Sequence, residues 1–263
     1  MITTQRDRFG DPILHRTSDE FGDILVIDRS TYRSLTFDSI FDQSSMDLRK
    51  PELLVHVYSH AMMLVTAFIK PRHATLLGLG GGCLLRSFHH VFPHCNVLAV
   101  ELRQQVFEVA SEFFGIPNNL KVTITIADAE YQLNHANDAC TDIIFADMFT
   151  AYCMNPFQMQ QHFINQCCRV LSKKGWLVIN YHDIPDFNTE FFKFVGSIFS
   201  DVFVYKTVVG NNNVIFASKC RVDALHHYEL AVLELEKKLG GRPLNVFNRL
   251  TRLNSVGRFR QGR

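Results

Sequence analysis

The sequence predicts an α/β chain: a doubly wound, mostly parallel sheet of seven strands ending in an antiparallel hairpin, preceded by a small N-terminal β-hairpin region. Three observations predict it. Short apolar runs alternate with helical patterns from residue 74 to residue 199. A glycine turn, Gly78-Leu79-Gly80-Gly81-Gly82, joins the first of these runs to its helix. Two last apolar runs, Val202 to Thr207 and Val214 to Ser218, flank Gly210-Asn211-Asn212-Asn213, which has the composition of a hairpin turn. Alternation of this kind puts helices on both faces of a parallel sheet, the Rossmann-like arrangement.

Composition narrows the class. A chain of 263 residues, 47% hydrophobic and 20% charged, can bury a sizeable core. Lys+Arg 27 against Asp+Glu 26 leaves almost no net charge, so neither nucleic acid nor an anionic membrane is expected as a partner. Cysteines 83, 95, 140, 153, 167, 168 and 220 form no CxxC pair and no zinc spacing, so no metal is expected, and most of them sit in apolar segments and read as small core residues. There is no apolar leader after the first basic residues and no membrane-length apolar run, which fits a cytoplasmic protein with reduced thiols.

Three regions follow in order: an arm and hairpin over 1–50, the nucleotide-type α/β unit over 51–220, and a C-terminal helix with a basic tail over 221–263. Residues 1–20 are polar and read as a loosely held arm. Ile24 to Ile27 and Tyr32 to Phe37 flank a polar turn and read as a hairpin, and 41–50 as a loop. After Pro51, Leu53, Leu54, Val57, Ala61, Leu64, Val65 and Phe68 recur at helical spacing over 52–69. Ala74 to Leu77, Val97 to Val100, Val122 to Ile126, Asp142 to Ala146 and Gly175 to Tyr181 are the buried strands. Helices follow them over 83–91, 103–114, 129–136, 156–171 and 187–199. A last helix over 223–238 stops at Gly240-Gly241, and Arg242, Arg249, Arg252, Arg258, Arg260 and Arg263 then read as a solvated, partly disordered end.

Ligands of such sheets bind beyond the carboxyl ends of the strands. A glycine turn there admits a ligand against backbone N–H groups, although it also serves close helix–strand packing. Glu101 ends the second strand, Asp128 follows the third, and Asp147 directly follows the fourth. A carboxylate at the position of Glu101 suits both hydroxyls of a ribose. Each acid alone is equally a helix cap; beside the glycine turn the three together favour one crevice. Asp147 has Tyr152 near it and no basic residue within five positions, so a partly dry cleft would raise its pKa and make it a base toward an amine. His60, His89-His90 and His226-His227 read as surface or core histidines, and no local spacing supports a Ser–His–Asp or Cys–His arrangement.

With those residues in view, the run from Gly22 to about Ser218 resembles the spermidine synthase family of aminopropyltransferases, on the class I S-adenosylmethionine-dependent methyltransferase fold. The hairpin, Gln43 after Phe41-Asp42, the glycine turn, Val100-Glu101-Leu102, Ala127-Asp128-Ala129 and Asp142 to Asp147 occur in the family's order. The resemblance implies a nucleoside-sulfonium ligand: S-adenosylmethionine, its decarboxylated form, or the product methylthioadenosine. It implies Gly78, Gly80 and Gly82 at the nucleoside, Glu101 on the ribose, Asp128 on the adenine amino group, Gln43 from the N-terminal side, and Asp147 as the acid that deprotonates the attacking amine. It also implies a homodimer assembled through the hairpin.

Departures accompany it. The family's Gly-Gly-Gly-Asp-Gly has Gly81 at its Asp, which makes room for a donor that keeps its carboxylate. The polyamine-holding Tyr-His-Glu is replaced near Val55-His56-Val57-Tyr58, and Asp-Ser-x-Asp-Pro reads Asp147-Met148-Phe149-Thr150-Ala151. An acid usual two residues after the ribose glutamate is Arg103. A diamine in a cleft needs several carboxylates. The nucleoside half is therefore expected to be retained and the polyamine half, with Tyr58, Gly81, Met148 and Tyr152, altered. The expected activity is transfer of an aminopropyl or methyl group to an acceptor other than the usual diamine. A non-catalytic relative that binds a nucleoside or a protein is the alternative, and the element order argues against NAD.

Overall fold

The computed structural model describes residues 6, 7, 9–37, 42–183, 185–207, 212–241, 243–253 and the backbone of 260–261. The expectations for Phe41, Gly210-Asn211, Arg242, Arg258 and Arg263, and the side chain of Arg260, lie outside them. β1 (Ile13–Asp19), β2 (Gly22–Arg29), β3 (Tyr32–Thr36) and β4 (Asp42–Asp47) form an antiparallel sheet in that order. The expected hairpin is β2–β3. Two expectations are corrected: the arm contains β1, and the loop contains β4. Neither strand carries an apolar run. β1 has one half-buried face, and β4 satisfies its buried side chains by hydrogen bonding. Ser34 and Ser45 lie opposite each other with hydroxyls 3.0 Å apart, Ser34 Oγ donates to Asp42 Oδ2 at 3.0 Å, and Arg29 Nη1 grips both Asp42 oxygens at 2.7 and 2.9 Å.

α1 (Val57–Met63) runs into a 3-10 turn over Leu64–Ala67, so the helix expected from residue 52 starts five residues later. Leu54 bridges to Met46 on β4, and Leu54 O pairs with His60 Nε2 at 2.8 Å. The backbone before α1 is thus committed elsewhere, and Pro51 does not open the helix.

The α/β unit follows as β5 (His73–Leu77), α2 (Cys83–Val91), β6 (Asn96–Glu101), α3 (Gln104–Phe113), β7 (Val122–Ile126), α4 (Ala129–His135), β8 (Thr141–Ala146), α5 (Gln161–Val170), β9 (Leu171–Tyr181), α6 (Glu190–Ile198), β10 (Asp201–Tyr205) and β11 (Asn213–Ser218). α7 (Glu229–Leu239), α8 (Pro243–Phe247), β12 (Thr251–Leu253) and β13 (Arg260–Gln261) close the chain. The main sheet has the order β13-β12-β10-β11-β9-β8-β5-β6-β7. Pairs among β5 to β9 are parallel, while β11 joins β9, β10 joins β11, and β12 joins β10 antiparallel. Successive side chains of β8 enter opposite cores: Ile143 and Phe145 face α1, α2 and α7, whereas Ile144 and Ala146 face α5 and α6. That is why the strand reads as an unbroken apolar run.

The seven expected strands are β5 to β11, and the tail adds two. Residues 243–253 are therefore not a solvated end. Pro243, Val246 and Phe247 are buried, and Arg252 on β12 reaches Asp201 at 2.9 Å through Nε and 2.5 Å through Nη2. Arginines alternating with Leu244, Val246, Phe247, Leu250 and Leu253 mask the apolar pattern. No helix among the described residues is long and apolar enough to cross a membrane.

The N-terminal sheet docks on α3, with Ile24, Val26, Leu35 and Phe37 against Val106, Val109 and Phe114. Arg103, just before α3, fastens it: Nη2 and Nε donate to the two Asp19 oxygens at 2.7 and 2.9 Å, and Nη2 donates to Gly22 O at 2.8 Å. The Phe37 ring lies 4.6 Å from the guanidinium carbon. Burial pushes the Asp19 carboxyl up, but the hydrogen bonds from Arg103 and from the Phe21 N–H outweigh it and hold the group below the ordinary carboxylate range. The pair's contribution is therefore complete above the ordinary carboxylate pKa and is lost as pH falls below it. Arg103→Ala strands a nearly buried carboxylate and is expected to lower unfolding free energy by about 3 kcal/mol in urea titration. A loss under about 1 kcal/mol would mean that the pair is screened like a surface one.

Candidate active site

The glycine turn links β5 to α2 at the carboxyl edge of the sheet. Gly78 has φ +94°, and a Cβ there would stand 2.3 Å from the Asp147 carbonyl oxygen, so the two strand tips touch only because position 78 has no side chain. The Gly78 N–H donates to Val100 O and the Asp147 N–H to Leu77 O, both at 2.9 Å, which locks the tips of β5, β6 and β8 in register.

Glu101, at the end of β6, turns back under the glycine turn. Its Oε2 accepts from the N–H of Leu79 at 3.0 Å and of Gly80 at 3.4 Å, and Oε1 accepts from Arg103 N–H at 3.0 Å. Burial pushes its pKa up, against the pull of these three N–H groups. Three bonds leave lone-pair capacity on a carboxylate for further donors. Asp128 is the N-cap of α4, accepting at Oδ1 from the N–H groups of Glu130 (2.7 Å) and Tyr131 (3.2 Å).

Asp147 follows β8. Its Oδ1 accepts from Asn180 Nδ2 at 2.7 Å, and Asn180 Oδ1 accepts from Asn212 Nδ2 at 3.1 Å. The second contact orients the Asn180 amide as a donor toward Asp147. Burial pushes the Asp147 carboxyl up to about 6, with the Asn180 hydrogen bond pulling the other way. A carboxyl with that pKa is largely ionised at neutral pH and still basic enough to accept a proton. Tyr58 lies near it, and its phenol is driven well above its usual pKa by burial and then by the Asp147 charge.

One cleft of about 1000 Å³ collects these groups. Gln43, Tyr58, Gly78, Gly80, Glu101, Asp128, Asp147, Met148 and Tyr152 all line it. Tyr152 stands at the rim, 72% exposed. Gly81 and Gly82 lie behind the turn. The Gly81 N–H donates to Ser44 Oγ at 2.8 Å, and a Cβ at 81 would meet Ser44 Cβ at 2.8 Å and Phe114 at 3.2 Å. At Gly82 a Cβ would meet Ile116 at 2.0 Å. The room expected beside Gly81 for a donor carboxylate is therefore corrected: Ser44 of β4 and Phe114 fill it. Arg103 also lines the cleft, at the β6 tip, and its guanidinium is taken up by Asp19 and Gly22. Among the described residues, no group of three or more His, Cys, Asp or Glu is placed to hold a metal ion.

The comparisons with known proteins follow this geometry. A methyltransferase domain matches residues 76–179, the stretch from β5 to β9. The polyamine aminopropyltransferase of Neisseria meningitidis is 33% identical over 165 residues, 61% of this chain and 62% of the relative. A solved probable spermidine synthase from Corynebacterium glutamicum superposes with a TM-score of 0.73 at 20% identity, over 88% of this chain and 95% of that one. The chain has a spermidine-synthase-like class I methyltransferase fold. The human eEF1A lysine and N-terminal methyltransferase is also similar, at 28% identity over 144 residues, 51% of this chain and 19% of that protein. The chain spans 62% of the length of the Neisseria relative.

Several residues that line or support the cleft of this spermidine-synthase-like fold escape sequence reasoning. Asn180 is a lone amide inside the apolar run Leu177 to Tyr181, and a buried amide in a strand is the signal that it has a polar partner. Gln158, fully buried in the 3-10 turn Pro156–Met159, accepts at Oε1 from the Met148 N–H at 2.9 Å and so fixes the backbone after Asp147. Ser44, His56, His182 and Asn212 come from four separate segments that only the fold brings together.

Proposed function

We propose that this chain is a transferase that binds an S-adenosylmethionine-type nucleoside and moves an aminopropyl or methyl group from its sulfonium to an amine. The observation that carries the reading is the pairing, in one cleft, of a glycine turn and strand-tip acid with a partly buried carboxyl raised to about 6 at the next strand tip. Similarity to both an aminopropyltransferase and a methyltransferase supports a transferase of this kind. Glu101 would take the ribose hydroxyls with its unused lone pairs, Asp128 the adenine amino group with Oδ2, and Gln43 the nucleoside from β4. Gly78 and Gly80 let the ligand approach the backbone.

In the reaction, Asp147 accepts a proton from the bound ammonium and frees its lone pair. That pair forms the new N–C bond, the C–S pair returns to sulfur, and the donor leaves as a neutral thioether. Holding amine and sulfonium in line supplies much of the acceleration. The leaving thioether reports which group moves. Incubation with each donor and a mixture of amines, followed by mass spectrometry, yields methylthioadenosine for aminopropyl transfer and S-adenosylhomocysteine for methyl transfer. Release of neither from either donor would favour a binding protein. A homodimer, joined through the open edge of β1, and a cytoplasmic setting remain part of the proposal.

The Asn180 contact adds a pH prediction. Turnover is expected to rise with pH through about 6, as Asp147 ionises. Asn180→Ala removes the donor that pulls this pKa down, so the rise should move to higher pH. An unmoved profile would show that another group limits the rate.

A further inference from the structure

The strand order divides the cleft. Over β5, β6 and β7 lie the glycine turn, Glu101 and Asp128; over β8, β9 and the β10–β11 connection lie Asp147, Phe149, Asn180, His182, Thr207 and Asn212. The charges are distributed unequally. In the first half Asp42 is held by Arg29, Glu101 by three backbone N–H groups and Asp128 by its cap, while Arg103 is paired with Asp19 and Glu130 is exposed on α4. Among the described residues that line the second half, Asp147 is the one acid and none is a lysine or an arginine.

The rest of that half is neutral, and much of it is aromatic. The rings of Phe149 and His182 meet edge to face with centroids 6.1 Å apart, and Tyr58 and Phe157 complete the wall. Its amides are largely occupied, since Asn180 spans Asn212 and Asp147, and Asn155 Oδ1 takes the Phe157 N–H at 3.0 Å. His182 Nδ1 is buried without a hydrogen-bond partner among the described residues.

An amine bound here finds one carboxylate for one ammonium. A second ammonium would lose its water against rings and engaged amides, and a ring face repays less of that loss than a carboxylate does. A flat uncharged group would instead pack against the rings. We propose that the acceptor is a primary monoamine on an uncharged aromatic body, its ammonium at Asp147 and its ring against Phe149, Phe157 and His182. This rests on the reading of Asp147 as the proton acceptor.

The test is calorimetry on the full chain saturated with methylthioadenosine, titrated separately with 2-phenylethylamine, n-butylamine and 1,4-diaminobutane. The expected order has 2-phenylethylamine at least ten-fold tighter than 1,4-diaminobutane, with n-butylamine between them. His182→Glu, which adds a carboxylate to the far wall, should raise diamine affinity at least ten-fold, with unchanged methylthioadenosine affinity as the check on folding. Diamine binding as tight as 2-phenylethylamine in the parent, or no amine binding to the loaded protein, would overturn the proposal. Butylamine equal to phenylethylamine would remove its aromatic part. Failure of methylthioadenosine itself to bind is a separate result, seen before any amine is added; it would overturn the transferase reading and this proposal with it.

Discussion

Asp147→Asn is expected to lower turnover by about 10³-fold, the usual worth of a positioned general base, while nucleoside affinity stays within a factor of about two. The substitution keeps the shape and an oxygen able to accept the Asn180 Nδ2 hydrogen bond, so the network from Asn212 through Asn180 survives. What disappears is the proton acceptor. Stability should respond in a defined direction. Asp147 titrates at about 6 in the fold against an ordinary 3.8, so the native state binds the extra proton between these values and stability falls as pH rises through that window. The asparagine variant lacks this slope. Steady-state kinetics with parallel calorimetry checks the first part, and urea titrations at pH 4 and 7 the second. A collapse of nucleoside affinity would make Asp147 a binding group instead of the base.

Glu101→Ala is expected to reduce nucleoside affinity at least 100-fold, since hydrogen bonds to a charged acceptor contribute about 1.5–3 kcal/mol each and the ribose offers two. An acid at a strand tip ordinarily contributes little to the core. The position of Glu101 argues otherwise. The carboxylate takes the N–H groups of Leu79, Gly80 and Arg103, and alanine leaves all three without it. A stability loss of about 2 kcal/mol is expected alongside the binding loss. Glu101→Gln separates the two effects, because it keeps an acceptor oxygen and loses the charge. It should recover most of the stability and little of the affinity. Full nucleoside binding by the alanine variant, measured calorimetrically, would remove Glu101 from the site.

What the sequence makes legible is what is encoded locally. The runs before Gly78, Glu101 and Asp147 are buried on both faces, so their ends stand out as the first polar or glycine residues after apolar ones. The glycine turn is equally plain, because Gly78 meets Asp147 backbone at a distance that no side chain would permit. The unreadable parts are long-range. Arg103 and Asp19 are 84 residues apart, and nothing near either one announces the other. β4 is polar because Ser45 bonds to Asp42 and Ser44 to the glycine turn, so it has no strand signature. Gly81 shows the same limit from the other side: a missing side chain reads as open space until Ser44 and Phe114 are seen to occupy it. The β12 strand is hidden by Arg252, whose charge is answered by Asp201 across the sheet.

The central claim is that this cleft binds a nucleoside sulfonium or its thioether product. Calorimetric titration of the purified chain with S-adenosylmethionine, its decarboxylated form and methylthioadenosine, side by side, tests it most directly. The account predicts saturable one-to-one binding of methylthioadenosine and of at least one donor, abolished by Glu101→Ala. The preferred donor then separates aminopropyl from methyl transfer. Absence of binding by all three would contradict the account.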